Sequence, residues 1–196
     1  GAELQLEKTS ISDSQGQGIW AHGVGTYLKT DDVLIARTTR SLGTMQAPDG
    51  TTLTAGLTVS GGAQAMLQQT VINDTQEYGI RISGEDSKVV ASDLVLARTH
   101  PLESGSCGHG IEVGQRSELV VEGAAIDEAC VSGIFLAQST NTWWPAGKVS
   151  ASDILIARTQ PELVGEDRGS LLAMIGMNLG LIHGGQGVWV SPGASL

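Results

Sequence analysis

The sequence predicts an all-β protein whose short parallel strands stack as successive turns of one coil, and three observations lead there. A seven-residue phrase occurs three times, as Asp32-Val33-Leu34-Ile35-Ala36-Arg37-Thr38, Asp93-Leu94-Val95-Leu96-Ala97-Arg98-Thr99 and Asp153-Ile154-Leu155-Ile156-Ala157-Arg158-Thr159, at intervals of 61 and 60 residues. A period of that size marks a stacked array of repeats. Within each copy apolar residues alternate with others, which is the strand period. Aromatics form only 4% of the chain while glycine supplies 27 of 196 residues, a composition suited to narrow, evenly layered cores.

Each turn is anchored on a central aliphatic residue: Ile11, Ile35, Ile72, Leu96, Ile126 and Ile156. A second recurring element is glycine followed by an aliphatic, as Gly18-Ile19, Gly56-Leu57, Gly79-Ile80, Gly110-Ile111, Gly133-Ile134 and Gly187-Val188. From anchor to the next such strand the spacing is 8 residues in odd turns and 22, 15 and 15 in even turns, the last reaching Leu171. The return to the next anchor takes 15 or 16 residues, except from Ile134 to Ile156, where an insertion contains Trp143-Trp144-Pro145. Short and long turns therefore alternate, and two of them make the 60-residue unit. Helices are excluded because no segment sustains an i, i+3, i+4 apolar pattern, whereas period-2 runs such as Leu119-Val120-Val121 are common.

This pattern resembles the right-handed parallel β-helix proteins of the pectate-lyase-like superfamily. The residues carrying the resemblance are strands such as Gly79-Ile80-Arg81-Ile82 and Gly110-Ile111-Glu112-Val113, together with strands that end in Ile-x-Asp-like corners. It covers nearly the whole chain and concerns architecture, which enzymes, adhesins and structural fibres share. The expected fold is a right-handed parallel β-helix of about six to seven turns with long loops on alternate turns. Residues 1–196 are expected to be a single segment of it.

Two column patterns support the stack. Two positions after each anchor stand Asp13, Arg37, Asp74, Arg98, Glu128 and Arg158, so opposite charges alternate without exception. Such a ladder fixes register, because a slip by one turn sets like charges against each other. Arg81 and Glu112 form a second opposed pair on neighbouring turns. Cys107 and Cys130 each lie four residues before the aliphatic of a Gly-aliphatic strand, Ile111 and Ile134. Stacking brings their Cα atoms to about 5 Å, inside the disulfide window. A disulfide there implies an extracellular or cell-surface location, and two free thiols filling a small slot are the alternative. The chain opens with Gly1-Ala2-Glu3-Leu4 and closes with Gly193-Ala194-Ser195-Leu196, which reads as the interior of a longer solenoid. The stretch from Met174 to Gly187 fits the spacing poorly.

The net charge of −10 argues against nucleic acid or an anionic membrane as partner. No apolar run approaches a membrane span, and no signal-peptide pattern stands at the start. Three positions before each anchor the column reads Lys8, Asp32, Gln69, Asp93, Gly123, Asp153. Lyases and hydrolases of the resembled superfamily place carboxylates on an exposed sheet for calcium or acid–base work. Here Asp32, Asp93 and Asp153 recur on every second turn, about 9.6 Å apart at the strand spacing. That is too far to share a calcium ion, and carboxylates that obey the repeat are more readily a solvated ladder than an active site.

One position before the anchor runs an outward row of Ser10, Leu34, Val71, Val95, Ala125 and Leu155, four of them sizeable, which points to a covered face. The even-turn insertions, Thr39–Ala55, His100–His109 and Gln160–Gly169, leave from one corner, where such stacks bind partners. His100, Glu103 and His109 match no metal-ligand spacing; Glu162, Glu166 and Asp167 are open to calcium, with a plain acidic surface loop as the favoured reading. Arg98 and Arg158, open to reading as lyase bases, are already accounted for by the ladder. Trp20, Phe135 and Trp189 share an outward column, and Trp143 and Trp144 lie in the insertion; exposed aromatics suit sugar rings or protein contacts. The sequence thus favours a non-enzymatic extracellular or cell-surface stalk, adhesin or filament component without cofactor. Its expected partners are a polysaccharide, a protein or another copy of itself. A carbohydrate-active enzyme or carbohydrate-binding module is the alternative.

Overall fold

A computed structural model describes residues 1–40, 54–101, 108–114, 116–130, 132–137 and 147–159, and the backbone of 186–190. In chain order the strands are β1 (Glu3–Ser12), β2 (Gln17–His22), β3 (Tyr27–Thr38) and β4 (Ala55–Ser60). They continue as β5 (Gln64–Gln76), β6 (Tyr78–Ser83), β7 (Lys88–His100) and β8 (His109–Val113). The last four are β9 (Glu118–Ala129), β10 (Ser132–Leu136), β11 (Lys148–Ala157) and β12 (Gln186–Val190). The odd strands form one six-stranded sheet in the order β1-β3-β5-β7-β9-β11, and the even strands a second in the order β2-β4-β6-β8-β10-β12. Every pairing is parallel. The chain passes from one sheet to the other at each step, and no described residue is helical. Among the described residues no helix is long and apolar enough to cross a membrane.

The anchors stack as one buried column. Hydrogen-bonded register sets Ile11 beside Ile35, then Ile72, Leu96, Ile126 and Ile156. Ile35 to Ile156 are almost wholly inaccessible and belong to one core that draws side chains from both sheets. Along a parallel inward column Leu4 is 49% exposed, whereas Leu28, its register partner, is 1% exposed. The core is thus open to solvent on its β1 side.

The Gly-aliphatic pair has a steric cause. A Cβ added at Gly18 would lie 2.5 Å from Cγ2 of Ile35, at Gly56 2.4 Å from Cγ2 of Ile72, and at Gly110 2.7 Å from Cγ2 of Ile126. The anchor's methyl group occupies the volume that any side chain on the facing even strand would need. The last strand of the even sheet is β12, with Val188 beside Ile134, where spacing alone points to Leu171; Val188 belongs to the Gly187-Val188 pair of the sequence pattern. Leu171 itself lies outside the described residues, as do Met174 to 185.

Each odd strand is bent at two positions where the backbone enters the left-handed region. Asp13, Arg37, Asp74, Arg98, Glu128 and Arg158 have φ between 50° and 59°. Lys8, Asp32, Gln69, Asp93, Gly123 and Asp153 have φ between 45° and 68°. Both columns singled out by charge are therefore the corners of the fold.

Replacing Gly56 with Ala should destabilise the protein by about 1–3 kcal/mol, the usual cost of overpacking. Ile72→Ala leaves a cavity and should cost about 2–5 kcal/mol. Because the two side chains compete for one volume, the double variant should cost clearly less than the sum. Urea unfolding of all three proteins measures this coupling, and simple additivity would contradict the packing described.

Candidate functional site

The predicted carboxylates stand on the corners. Asp32, Asp93 and Asp153 are exposed, and none of them has an ion-pair partner among the described residues. Aspartate is among the few non-glycine residues that enter the left-handed region routinely, so backbone geometry accounts for its recurrence. No group of three or more His, Cys, Asp or Glu is placed to hold a metal ion among the described residues.

The ladder residues share one column but are paired unevenly. Arg37 Nε donates to Asp13 Oδ1 at 2.6 Å and its Nη2 to Asp13 Oδ2 at 2.7 Å. The Arg37 guanidinium draws the Asp13 carboxyl down to about 2. Arg158 binds Asp127 through two donors and Glu128 at 3.1 Å, and its hydrogen bonds hold the Asp127 carboxyl below the ordinary range. Asp74 takes His100 Nε2 at 2.7 Å rather than a neighbouring arginine. Arg98 closes no ion pair among the described residues.

A denser constellation lies on the outer face of the even sheet. Register aligns Trp20, Thr58, Arg81, Glu112, Phe135 and Trp189 in one row. Aromatics stand at both ends, while Thr58 and Glu112 in the middle are buried. Arg81 Nε donates to Glu112 Oε1 at 3.1 Å, and its guanidinium lies 5.7 Å from the centre of the Tyr78 ring. Beside this row runs a second, of Tyr78, His109 and Ser132. The His109 ring stacks on Phe135 at 4.4 Å and on Tyr78 at 5.9 Å, and its Nδ1 meets Ser132 Oγ at 2.7 Å. Burial pushes the imidazole down to about 4, so it is neutral at physiological pH. Glu77, also buried, accepts the Thr54 N–H at 2.7 Å, and loss of solvation pushes its carboxyl up.

Sequence reasoning paired Arg81 with Glu112 but passed over Glu77, Tyr78 and Ser132, and grouped His109 with His100 and Glu103 as a loose metal set. The usable signal was positional. Tyr78, His109 and Ser132 each precede the glycine of a Gly-aliphatic pair. Glu103 lies outside the described residues.

Trp20, at 41% exposure, is the accessible aromatic of this face. Its Nε1–H donates to Ser60 Oγ at 3.1 Å, and Ser60 Oγ is 3.0 Å from Nδ1 of His22. A serine oxygen that accepts the indole proton offers its own proton to Nδ1. Neither this Ser–His pair nor Ser132–His109 has a carboxylate on its imidazole among the described residues, so neither forms a nucleophilic triad. The backbone of Trp189 is set beside Phe135. Trp143, Trp144 and Cys107 lie outside the described residues; Cys130, just before β10, is half-buried.

An open cleft of about 600 Å³ lies where the even strands turn into the odd ones, between Asp86, Lys88, Arg116, Glu118 and Lys148. Its charges are largely internally matched, as Lys88 Nζ meets Glu118 at 2.9 Å and Arg116 meets Glu85. Comparison of the chain with protein-family models, with curated proteins and with solved structures gave no match.

The buried imidazole makes stability depend on pH. Its proton affinity is lower folded than unfolded, so the stabilisation is complete above about 6.5 and is lost as pH falls towards 4. The gap between 6.5 and about 4 caps this loss at roughly 3 kcal/mol. Glu77 acts with the opposite sign, since its raised carboxyl favours the fold at low pH. Asp13 and Asp127, both depressed, release their contributions only below about 3.8. Urea unfolding between pH 7 and 4.5 should show wild type weakening steadily. The His109→Gln variant should lose that weakening and keep only the opposite trend that Glu77 contributes.

Proposed function

We propose that this chain is a segment of right-handed parallel β-helix of the pectate-lyase-like type, serving as a non-enzymatic structural or adhesive element outside the cell or on its surface. Alternation of the strands between two parallel sheets, with every anchor in register, supports the solenoid reading. One observation carries the functional part. The recurring carboxylates occupy left-handed corners in every turn that has them, so the fold itself explains their presence. A catalytic group, by contrast, sits where one turn differs from the rest.

A second reading, a carbohydrate-binding module, is favoured by Trp20, which presents an exposed indole beside His22 and Ser60. Such a ring gives a sugar face an apolar platform with hydrogen-bonding groups at its edge.

Incubation with acidic polysaccharides should leave them intact. Cleavage that disappears in an Asp93→Ala variant would overturn the structural reading in favour of an enzyme. On a glycan array the chain should give no signal; a signal that Trp20→Ala abolishes would instead support the sugar-binding reading.

The extracellular assignment rests on Cys107 and Cys130. β8 and β10 set His109 beside Ser132, and in the sequence each cysteine stands two residues before one of these; Cys107 itself lies outside the described residues. Thiol titration of unreduced, denatured protein should find none, and recovery of both would remove the basis for this location.

A further inference from the structure

The face between the two corner columns carries an interaction surface. Its outward row is apolar and uncovered: Leu34 is 38% exposed, Val95 39% and Leu155 48%, all in one register column with Val71. On one side of this row stand Asp32, Asp93 and Asp153, which have no ion-pair partner among the described residues. On the other stand the ladder residues, of which Asp13, Arg37, Arg98 and Arg158 are exposed and Asp74 and Glu128 half-buried. Asp93 and Arg98 belong to one rung, yet about 16 Å of strand separates them. A rung therefore displays a complementary pair that it cannot close within itself.

We infer that this face joins two copies of the chain side by side and in parallel, about a two-fold axis along the stacking direction. This deepens the structural reading proposed above and rests on it. Such an axis lays row on row and sets the acidic column of each copy against the ladder of the other at the same level. Asp93 then meets Arg98, which closes no ion pair among the described residues, while Asp32 and Asp153 face Arg37 and Arg158, already engaged with Asp13 and Asp127; each contact occurs twice, as an isologous interface requires. The remaining levels set Lys8 against Asp13, and the uncharged Gln69 and Gly123 against ladder carboxylates. No level opposes like charges. An antiparallel arrangement also sets unlike charges against each other along the ladder columns, but it places Asp32 opposite Gly123 and Asp93 opposite Gln69; the parallel one alone faces all three recurring aspartates with arginine.

The face measures about 16 Å across and about 24 Å along six rungs at the strand spacing. That is roughly half of the area each partner contributes to a standard interface. Association of this segment is accordingly weak and reversible, and it strengthens with each rung added.

Sedimentation equilibrium up to millimolar protein tests this. Wild type should show a monomer–dimer equilibrium, and Asp93→Arg or Arg98→Asp alone should weaken it at least tenfold. The two variants mixed in equal amounts should associate at least tenfold more tightly than either alone, because the mixed pair restores every contact. Both substitutions suit the fold, since the same corner columns already hold Lys8 and Asp74 in the left-handed region. Leu34→Gln with Leu155→Gln, confined to exposed positions, should also leave a monomer with unchanged thermal stability. A strictly monomeric wild type overturns the inference, as does an Asp93→Arg variant that self-associates normally. Either result leaves the structural reading standing, whereas polysaccharide cleavage would remove that reading without touching this equilibrium.

Discussion

The contact between an anchor methyl and a facing glycine sets the dimensions of this protein. Where Cγ2 of Ile72 fills the place of a side chain on Gly56, the two sheets come within a single residue's thickness of each other. The same arrangement recurs at Gly18 with Ile35 and at Gly110 with Ile126. Aliphatic anchors need no aromatic filler at this distance, so the low aromatic content and high glycine content of the sequence share one cause. A β-branched anchor also holds a stiff side-chain conformation, which keeps the methyl in the glycine's space from rung to rung.

Close sheets require sharp corners, and the corners decide where charge can sit. Each odd strand bends through two left-handed residues, at a typical cost of about 1–2 kcal/mol for every one that is not glycine. The side chains at these bends stand exposed at both margins of one strand face. An exposed ion pair between neighbouring rungs returns about 0–1 kcal/mol, so the ladder does not offset the strain. Parallel hydrogen bonding and core burial sustain the corners, and the ladder's contribution is to register. The column is accordingly tolerant: Asp74 turns to His100 while Arg98 stands without an ion pair among the described residues, and the stacking is the same at both levels.

Much of this architecture was legible in the sequence because the repeat displays it six times. The anchor spacing gave the register of the odd sheet residue for residue, and the Gly-aliphatic pairs gave that of the even sheet. What the sequence concealed follows from applying one rule too evenly. Constant spacing pointed to Leu171 for the last even strand, although the Gly-aliphatic pattern already contained Gly187-Val188, the pair that β12 holds. Glu77, Tyr78, His109 and Ser132 attracted no attention as a group, because their shared burial arises between strands and periodicity within one strand carries no information about it. The exposed corner aspartates drew notice instead, because charge is visible in a sequence and a left-handed φ is not.

These two kinds of polar residue separate function from architecture. The corner carboxylates repeat with the fold, are exposed, and are explained by backbone conformation alone. The cluster of Arg81, Glu112 and His109 obeys no repeat: positions equivalent to Arg81 and Glu112 hold tryptophan, threonine or phenylalanine, and those equivalent to His109 hold glutamine, alanine, tyrosine or serine. It is also desolvated, and desolvation of an imidazole and a carboxylate costs stability that an apolar row would not cost. Departure from the repeat at an energetic cost marks the outer face of the even sheet as the place where this turn was specialised. The stacking of His109 between Tyr78 and Phe135, with its hydrogen bond to Ser132, shows what the specialisation achieves. Three successive rungs are bridged on the side opposite the anchors by a stacked flat ring and one side-chain hydrogen bond. A proton delivered to His109 puts a charge into a desolvated site, so the stability of this face depends on the protonation of one buried ring.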